Sequence, residues 1–412
     1  MRACVLLLLL SLPVSGLTQT TSEIVCPELN STEAVITCAL MRHPELAASE
    51  AGVHQSVKLE SFASQIPNPE FNLKNTYGKS LGDKIINLEM DLGFVLQLGG
   101  KRRARIQQAW AAQAEASAAL LRTKEDVYIS TFSSLIRMRQ LSQEIDAMEH
   151  ALSAFAQIQN VYRSYGKLNP EQQISLNVFQ VAHGDYLAKK TAAVLEQQRY
   201  LRNIQFILNE PVVLKKELYP TPIKSWPKVQ LNDELNGSGI KLAQAEVKQA
   251  ESELKSAQSE SWPDLKIGPS IEQQTEGPFT VHTFGFNVSF PLPVFNLNQG
   301  GRAHANAGLM RAQANLRSEQ SKLLAEKQIL VQQYNTILDA LKGLPDIDSV
   351  ERKHTNAEAY FRRGLLSTTL MIEYHRQIVD FIEDQNQLEL AAMESLWKIY
   401  ALEGKIFSDT KK

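Results

Sequence analysis

Apolar and polar residues alternate with a period of two in two stretches of the chain, residues 86–98 and 284–292. This period predicts β-strands that carry one apolar face. Weaker alternation before each stretch, over residues 71–77 and 265–271, predicts a partner strand for each. Such strands belong either to a soluble sheet with one half-buried face or to a membrane sheet with strands of about 9–11 residues. The pattern alone favours neither interpretation.

The segment between residues 101 and 165 contains neither glycine nor proline. It therefore predicts one helix about 100 Å long. In its distal part apolar residues recur in steps of four and three, which indicates the seam of a coiled coil. The seam consists of Leu141, Ile145, Met148, Leu152, Phe155, Ile158, Tyr162 and Tyr165. Gly166 is expected to cap this helix in the left-handed conformation, and Pro170 to begin a returning helix that runs to about Asn209.

The same elements recur about 200 residues later, which predicts a duplicated architecture. Gly99-Gly100, at the corner between the strand and the long helix, is echoed by Gly300-Gly301. The sequence Tyr-x-x-x-Gly at residues 162–166, where the helix turns back, is echoed at residues 360–364. Whatever structure one half adopts, the other half is expected to adopt as well.

The duplication divides the chain into two predicted repeats, residues 17–209 and 239–408. Each repeat contains a helix, a strand pair and a long helical hairpin. Residues 210–238 are rich in proline and glycine and are predicted to be an irregular connector, and residues 409–412 a short tail. The second long helix is expected to kink at Gly343-Leu344-Pro345.

Residues 1–16 combine one arginine, a short apolar run and a small-residue exit, which is typical of a secretory signal peptide. The alternative is a buried N-terminal helix. In an oxidising compartment, Cys26 and Cys38 are candidates for a disulfide that pins the N-terminal segment. A lipid anchor on Cys26 is disfavoured, because Val25 is not the small residue expected before such a cysteine.

Composition excludes several classes of function. The formal net charge is −2, and no basic patch indicates nucleic acid. The processed chain has no run of ~18 apolar residues, so no transmembrane helix is predicted.

The motifs that could indicate a catalytic or ligand site are incomplete. The glycine pairs lack the Lys-Ser/Thr of a phosphate loop. No nucleophile lies beside a base, so we predict neither an enzyme nor a cofactor. The histidines considered as metal ligands lack a second ligand at metal spacing, and no metal site is assigned. They are His54, His183, His282 and His304.

The length of the helices constrains the assembly. Helices of about 100 Å cannot be buried within one globule of this size. Four strands cannot close on themselves, and each unpaired backbone group at an open edge costs several kcal/mol in lipid. If the strands lie in a membrane, several chains must therefore join to close the sheet.

Motifs in the right order make nearly all of residues 28–405 resemble the TolC-like outer-membrane efflux factors. The motifs are Thr32-Glu33-Ala34, His43-Pro44-Glu45-Leu46, Pro69, Trp262-Pro263-Asp264-Leu265 and the two Tyr-x-x-x-Gly turns. Residues 98–105 and 290–300 are similar to the heavy-metal (CzcC-type) branch of that family.

The resemblance implies a mainly α fold with a small membrane β part. Each chain would contribute duplicated coiled-coil hairpins and four strands, and a homotrimer would form a 12-stranded β-barrel on an α-helical barrel. The location would be the outer membrane of a Gram-negative bacterium, extending into the periplasm. Four basic residues at the first corner would lie near anionic lipid or simply in solvent. They are Lys101, Arg102, Arg103 and Arg105.

The implied function is a passive exit duct of a tripartite efflux system, with a periplasmic membrane-fusion adaptor and an RND-type inner-membrane pump as partners. The cargo would be heavy-metal cations, and organic solutes or drugs are the alternative. Two competing hypotheses are the adaptor itself and a coiled-coil structural protein. The duplicated hairpin and the alternating strands argue against both.

The resemblance also assigns candidate sites. The adaptor-docking tips would be Gly166, Lys167 and Leu168 together with Gly364, Leu365 and Leu366. The alternative is that these glycines only cap helices.

Glu373 matches an acidic gate residue of the family, and three copies would form a negative ring that favours cations. Leu370 occupies the other gate position and departs from the acidic pattern. Glu171 is a second candidate. A solvated surface acid is the alternative for both glutamates.

Overall fold

The computed structural model describes residues 26–80, 83–223, 225–345 and 347–407. The predicted signal peptide (1–16) and the predicted tail (409–412) lie outside the described residues. The described part is mainly helical and contains four strands, which confirms the predicted fold class. The helices are α1 (Thr32–Arg42), α2 (Pro44–Ala63), α3 (Lys101–Ser164), α4 (Pro170–Leu208), α5 (Ser238–Ser259), α6 (Gln299–Gly343), α7 (Ile347–Arg362) and α8 (Thr368–Glu403). The strands are β1 (Glu70–Ser80), β2 (Asp83–Gln97), β3 (Asp264–Glu276) and β4 (Phe279–Ser289).

The four strands form one antiparallel sheet in the order β1-β2-β3-β4. The strand pairs predicted in the two halves therefore join edge to edge, β2 against β3. β4 begins earlier than the alternation predicted and ends at Ser289, before residues 290–292. Pro291 explains this end, because proline has no N–H to donate to a ladder.

Helix α3 runs unbroken for 64 residues, or roughly 96 Å at 1.5 Å per residue. The prediction that Gly166 caps it in the left-handed conformation is wrong. The helix ends one residue earlier, because Tyr165 turns to an extended conformation, with φ −75° and ψ 124°. Asn169 then begins α4 with a reciprocal capping box to Gln172.

The second long helix is broken rather than kinked. α6 ends at Gly343, and α7 begins at Ile347. Between them Leu344 is extended, with φ −80° and ψ 145°. The residue before a proline is driven out of the helical region, and Pro345 follows Leu344 directly. None of the described helices carries an apolar stretch sufficient for a membrane crossing.

The two corners that precede the long helices are built differently. In the first half Gly99 and Gly100 adopt left-handed φ values of 68° and 76°. A Cβ on Gly99 would lie 2.5 Å from the Trp262 side chain, so only glycine fits there. In the second half Gly300 and Gly301 already belong to α6, and Asn298 takes the left-handed position with φ 53°. The Asn298 amide donates to the carbonyl of Ala257 at 2.8 Å, which holds this conformation.

Residues 210–238 contain a single described helical turn, Lys216–Leu218, yet they are held firmly against the helices. The Tyr334 hydroxyl of α6 donates to the carbonyl of Pro227 at 2.7 Å. Arg139 of α3 donates to the carbonyl of Pro220 at 3.1 Å. The connector therefore packs as a strap across α3 and α6.

A core beside the connector joins α1 to α3 and α4. Buried residues of this core include Val35, Leu135 and Ile204. Cys38 lies in the same core and forms a disulfide with Cys26, with Cα atoms 5.1 Å apart. The bond ties the segment before α1 to the helices.

Candidate functional site

One face of the sheet is apolar across all four strands. Register places Leu73 opposite Met90, Phe94 opposite Ile267, and Ile271 opposite Phe284. In the single chain this face is open: Phe71 is 65% exposed and Phe284 is 78% exposed. Monomeric soluble proteins rarely expose a continuous apolar surface of this kind. The face is therefore built to contact something apolar.

The opposite face of the sheet is polar and internally paired. Asn72 donates to Asp91 at 2.9 Å, and Asn87 donates to Glu272 at 2.6 Å. Lys74 lies 3.9 Å from Glu89. A sheet with one apolar and one polar face, and strands of 11 to 15 residues, has the pattern of membrane strands around a wet interior.

Both outer strands of the sheet, β1 and β4, pair on one side only among the described residues. Their free edges present rows of unpaired N–H and C=O groups, which natural sheets pair, cover or charge. The sheet of one chain is therefore incomplete wherever it contacts lipid.

Three of the four basic residues at the first corner contact other groups of the protein. Lys101 is buried and lies 2.8 Å from Asp264. Arg102 donates to the carbonyl of Ser64 at 2.7 Å, and Arg105 donates to the carbonyl of Gln65 at 3.1 Å. The two arginine contacts join the residues just after α2 to the start of α3, and the lysine contact joins the start of β3 to it. Three of the four basic residues therefore stabilise the fold.

The two helical turns lie side by side. The Tyr162 hydroxyl, at the end of α3, is 3.3 Å from the Thr368 hydroxyl at the start of α8. Gly364 has φ +73°, so the left-handed cap expected at the first turn exists only at the second. Leu365 is 67% exposed, whereas Leu168 and Leu366 are half-buried. The second turn thus presents the more prominent apolar side chain.

Glu373 belongs to a chain of ion pairs along α8. Its carboxylate accepts from Arg376 at 2.6 Å, and Arg376 also donates to Asp380 at 2.7 Å. Asp380 continues to Lys189 of α4 at 3.3 Å. The hydrogen bonds from Arg376 and Gln377, together with the charge of Arg376, lower the pKa of Glu373. Glu373 is therefore ionised but locally balanced.

Glu171 does not belong to this chain of ion pairs. It lies exposed in the first turn of α4, where an acid favours the helix dipole. Of the two acids that the sequence offered as gate candidates, Glu373 is thus paired with Arg376, whereas Glu171 is an exposed acid at the start of a helix.

No known family profile matches this chain. The cobalt-zinc-cadmium resistance protein CzcC of Cupriavidus metallidurans is 25% identical to it over 261 residues. The match covers 62% of this chain and 59% of that protein, so this chain spans less than two thirds of the relative's length.

Solved outer-membrane channels share the architecture of this chain over nearly its whole length. The CmeC outer membrane channel of Campylobacter jejuni superposes with a TM-score of 0.72 at 14% identity, covering 91% of this chain and 86% of that one. The open state of Neisseria gonorrhoeae MtrE gives 0.69 at 15%, covering 93% and 91%. CusC gives 0.69 at 14%, covering 91% and 92%. The chain has the TolC-like fold.

The resemblance noted in the sequence is thus confirmed at the level of the fold. Within the TolC-like fold of this chain, the sheet and the turns mark opposite ends of α3. β2 ends at Gln97 just before the helix starts, and the first turn follows its last residue, Ser164. A single unbroken helix therefore separates the apolar face of the sheet from the exposed turns.

One cluster of potential ligands went unnoticed in the sequence. His354 and Glu358 of α7 and His375 of α8 place ligand atoms within 4.8 Å of one another. Burial, with the nearby His354 and His150, lowers the pKa of His375 to about 3, so its ring is neutral at neutral pH. The spacing of His354 and Glu358, four residues apart on a helix, was a visible signal. The third member, on another helix, was not.

Proposed function

We propose that this chain is the outer-membrane exit duct of a tripartite efflux system. The observation that carries the proposal is the sheet: an exposed apolar face, a paired polar face and two open edges, on a fold shared with solved outer-membrane channels. Lipid would cover the apolar face. The polar face would line a water-filled lumen.

Closure of the sheet requires further copies of the chain. Each unpaired backbone group in lipid costs several kcal/mol, so β1 and β4 need partners there. In a homotrimer, β4 of one chain would pair with β1 of the next, and four strands from each would give a 12-stranded barrel. The long helices would then extend the tunnel into the periplasm.

The exposed turns support a docking role. They lie about 96 Å along α3 from the sheet, where a periplasmic adaptor would approach. The two docking tips are Gly166, Lys167 and Leu168, and Gly364, Leu365 and Leu366. Energy would come from an RND-type inner-membrane pump, because the duct itself is passive. Glu373 serves this proposal as a gate residue whose charge is held by Arg376.

The proposed cargo is divalent heavy-metal cations. The support is the 25% identical relative, which is a cobalt-zinc-cadmium resistance protein. Organic solutes are the alternative cargo of the same duct.

The test is a strain that lacks this chain, grown on a panel of cobalt, zinc and cadmium salts and of organic drugs. We expect sensitivity to the metals, reversed by the wild-type chain. Sensitivity confined to organic drugs would keep the duct and replace its cargo. Unchanged growth on every compound, with the pump and adaptor present, would contradict the proposal.

A further inference from the structure

Three side chains from two helices converge near the end of the helical hairpin. The Nε2 atom of His354 lies 3.0 Å from Nδ1 of His375 and 3.5 Å from Oε1 of Glu358. The Nε2 atom of His375 lies 4.0 Å from the same Oε1. His354 and Glu358 share one face of α7, because they are four residues apart.

These separations match the size of a metal coordination sphere. Zinc binds histidine nitrogen and carboxylate oxygen at about 2.0–2.2 Å in tetrahedral geometry, which places ligand atoms about 3.4 Å apart. The Oε1 atom of Glu358 lies 3.5 Å from Nε2 of His354 and 4.0 Å from Nε2 of His375, which are both close to that value. One ligand atom from each residue lies within 4.8 Å of the other two, so rotation of the His354 ring out of its contact with Nδ1 of His375 would bring the three groups onto one ion.

His375 supplies an independent sign of a missing ligand. Its side chain is only 3% exposed, and its Nε2 atom makes no hydrogen bond. A buried ring nitrogen without a partner is unfavourable, because its desolvation is not compensated. An ion bound to that nitrogen would satisfy it.

The cluster opens onto a cavity that can supply the remaining coordination. The cavity has a volume of about 730 Å³ and is also lined by Asp146, Glu149 and His150 of α3. Water can reach the three ligands from this space, and the α3 residues in its lining offer further oxygen and nitrogen atoms. Three protein ligands with water in the fourth position are an established coordination of zinc.

We infer that His354, Glu358 and His375 form a binding site for a divalent transition-metal ion of the Zn²⁺ class. Two imidazoles and one carboxylate suit zinc and cobalt, whereas magnesium prefers oxygen ligands and retains water. An ion at this position would tie α7 to α8. The inference stands on these contacts and does not require the proposed cargo to be correct.

The test measures binding of ZnCl₂ and CoCl₂ to the purified, chelator-treated full chain in detergent. Titration calorimetry gives the stoichiometry, and the visible absorption of bound Co²⁺ reports its coordination. We expect one ion per chain, no displacement by Mg²⁺ and a higher melting temperature with Zn²⁺. His354→Gln and Glu358→Gln should each weaken binding at least tenfold, since loss of even an outer-shell partner costs a metal site 10–100-fold.

Matched controls are His54→Gln on α2 and Glu246→Gln on α5, which alter exposed residues of the same types. Both should bind Zn²⁺ like the wild type. Circular dichroism of each variant checks that the helices are intact, and Glu358→Gln preserves side-chain shape. No Zn²⁺ binding by the wild type, or equal binding by ligand and control variants, would overturn the site. Neither result bears on the growth test of the proposed function, which fails or succeeds separately.

Discussion

Leu365 is the residue on which the docking proposal rests most directly. It follows the left-handed Gly364, and its backbone N–H donates to the carbonyl of Tyr360 at 3.0 Å, so the turn holds the side chain outward. A leucine that is 67% exposed at the end of a hairpin buries only a minor part of its surface within its own chain. An apolar partner surface gives it one.

We predict that Leu365→Glu abolishes export while leaving assembly intact. A charge there would have to lose its water on docking without a partner, which costs several kcal/mol. The measurement is metal resistance of the complemented deletion strain, beside trimer yield in membranes. Val213→Glu is the matched control, because Val213 is 86% exposed in the connector, away from the turns. Wild-type resistance with Leu365→Glu would rule out docking through this turn.

Single residues also show how far the sequence could be interpreted. The position of Glu373 in the helix followed from resemblance, but its pairing with Arg376 depends on which rotamers the neighbouring turns allow. The grouping of His354 with His375 depends on how α7 lies against α8, and no spacing in the sequence encodes that contact. Contacts between helices are the part that pattern alone leaves open.

At the scale of elements, a buried ion pair fastens α6 to the end of α8. Lys327 is fully buried and lies 2.7 Å from Glu403. It also donates to the backbone carbonyl of Glu234 in the connector at 3.0 Å. Lys405 also lies 2.7 Å from Glu403. One lysine therefore joins three segments.

We predict that Lys327→Met destabilises the fold by about 3 kcal/mol, because it leaves Glu403 buried without its buried cation. Lys405 remains and keeps the loss at the low end of the range for broken buried pairs. The measurement is the thermal melting temperature in detergent. The double variant Lys327→Met with Glu403→Leu should recover part of the loss. A single variant as stable as wild type would show that the pair is immaterial.

The pH dependence of the same pair has a defined sign. Burial raises the pKa of Glu403, but hydrogen bonds and charge from Lys327 and Lys405 outweigh burial and leave the pKa lowered. The stabilisation is therefore complete above the ordinary glutamate pKa of about 4.3 and is lost as pH falls through the lowered folded value. Lys327→Met should therefore lose less stability than the wild type between neutral and acidic pH, measured as the change in melting temperature.

Elements were predictable where local chemistry decides them. The absence of glycine and proline over residues 101–165 predicted α3 to within a residue. Duplication predicted the second corner less well, because Asn298 there does the work of glycine. The interruption after Gly343 was foreseen, but a break rather than a kink resulted from Pro345 acting on Leu344.

At the scale of the whole molecule, the open edges of the sheet are the reason that several copies of the chain are needed in lipid. Alternation in the sequence predicted strands but could not distinguish a soluble sheet from a membrane sheet. The continuous exposed apolar face, built by β2 pairing with β3 across the two repeats, favours the membrane. The expected number of copies came only from the resemblance, because the four strands of one chain do not determine how many chains complete the barrel.

The most direct test is the oligomeric state and conductance of the processed chain, extracted from outer membranes in detergent. Light scattering should give three times the mass of the processed chain, and the species should conduct ions in a planar bilayer. Boiling should convert this high-mass species to a band at the mass of one chain on a denaturing gel. A stable monomer that remains folded without detergent and forms no pore would contradict the proposal that several copies close a channel through lipid.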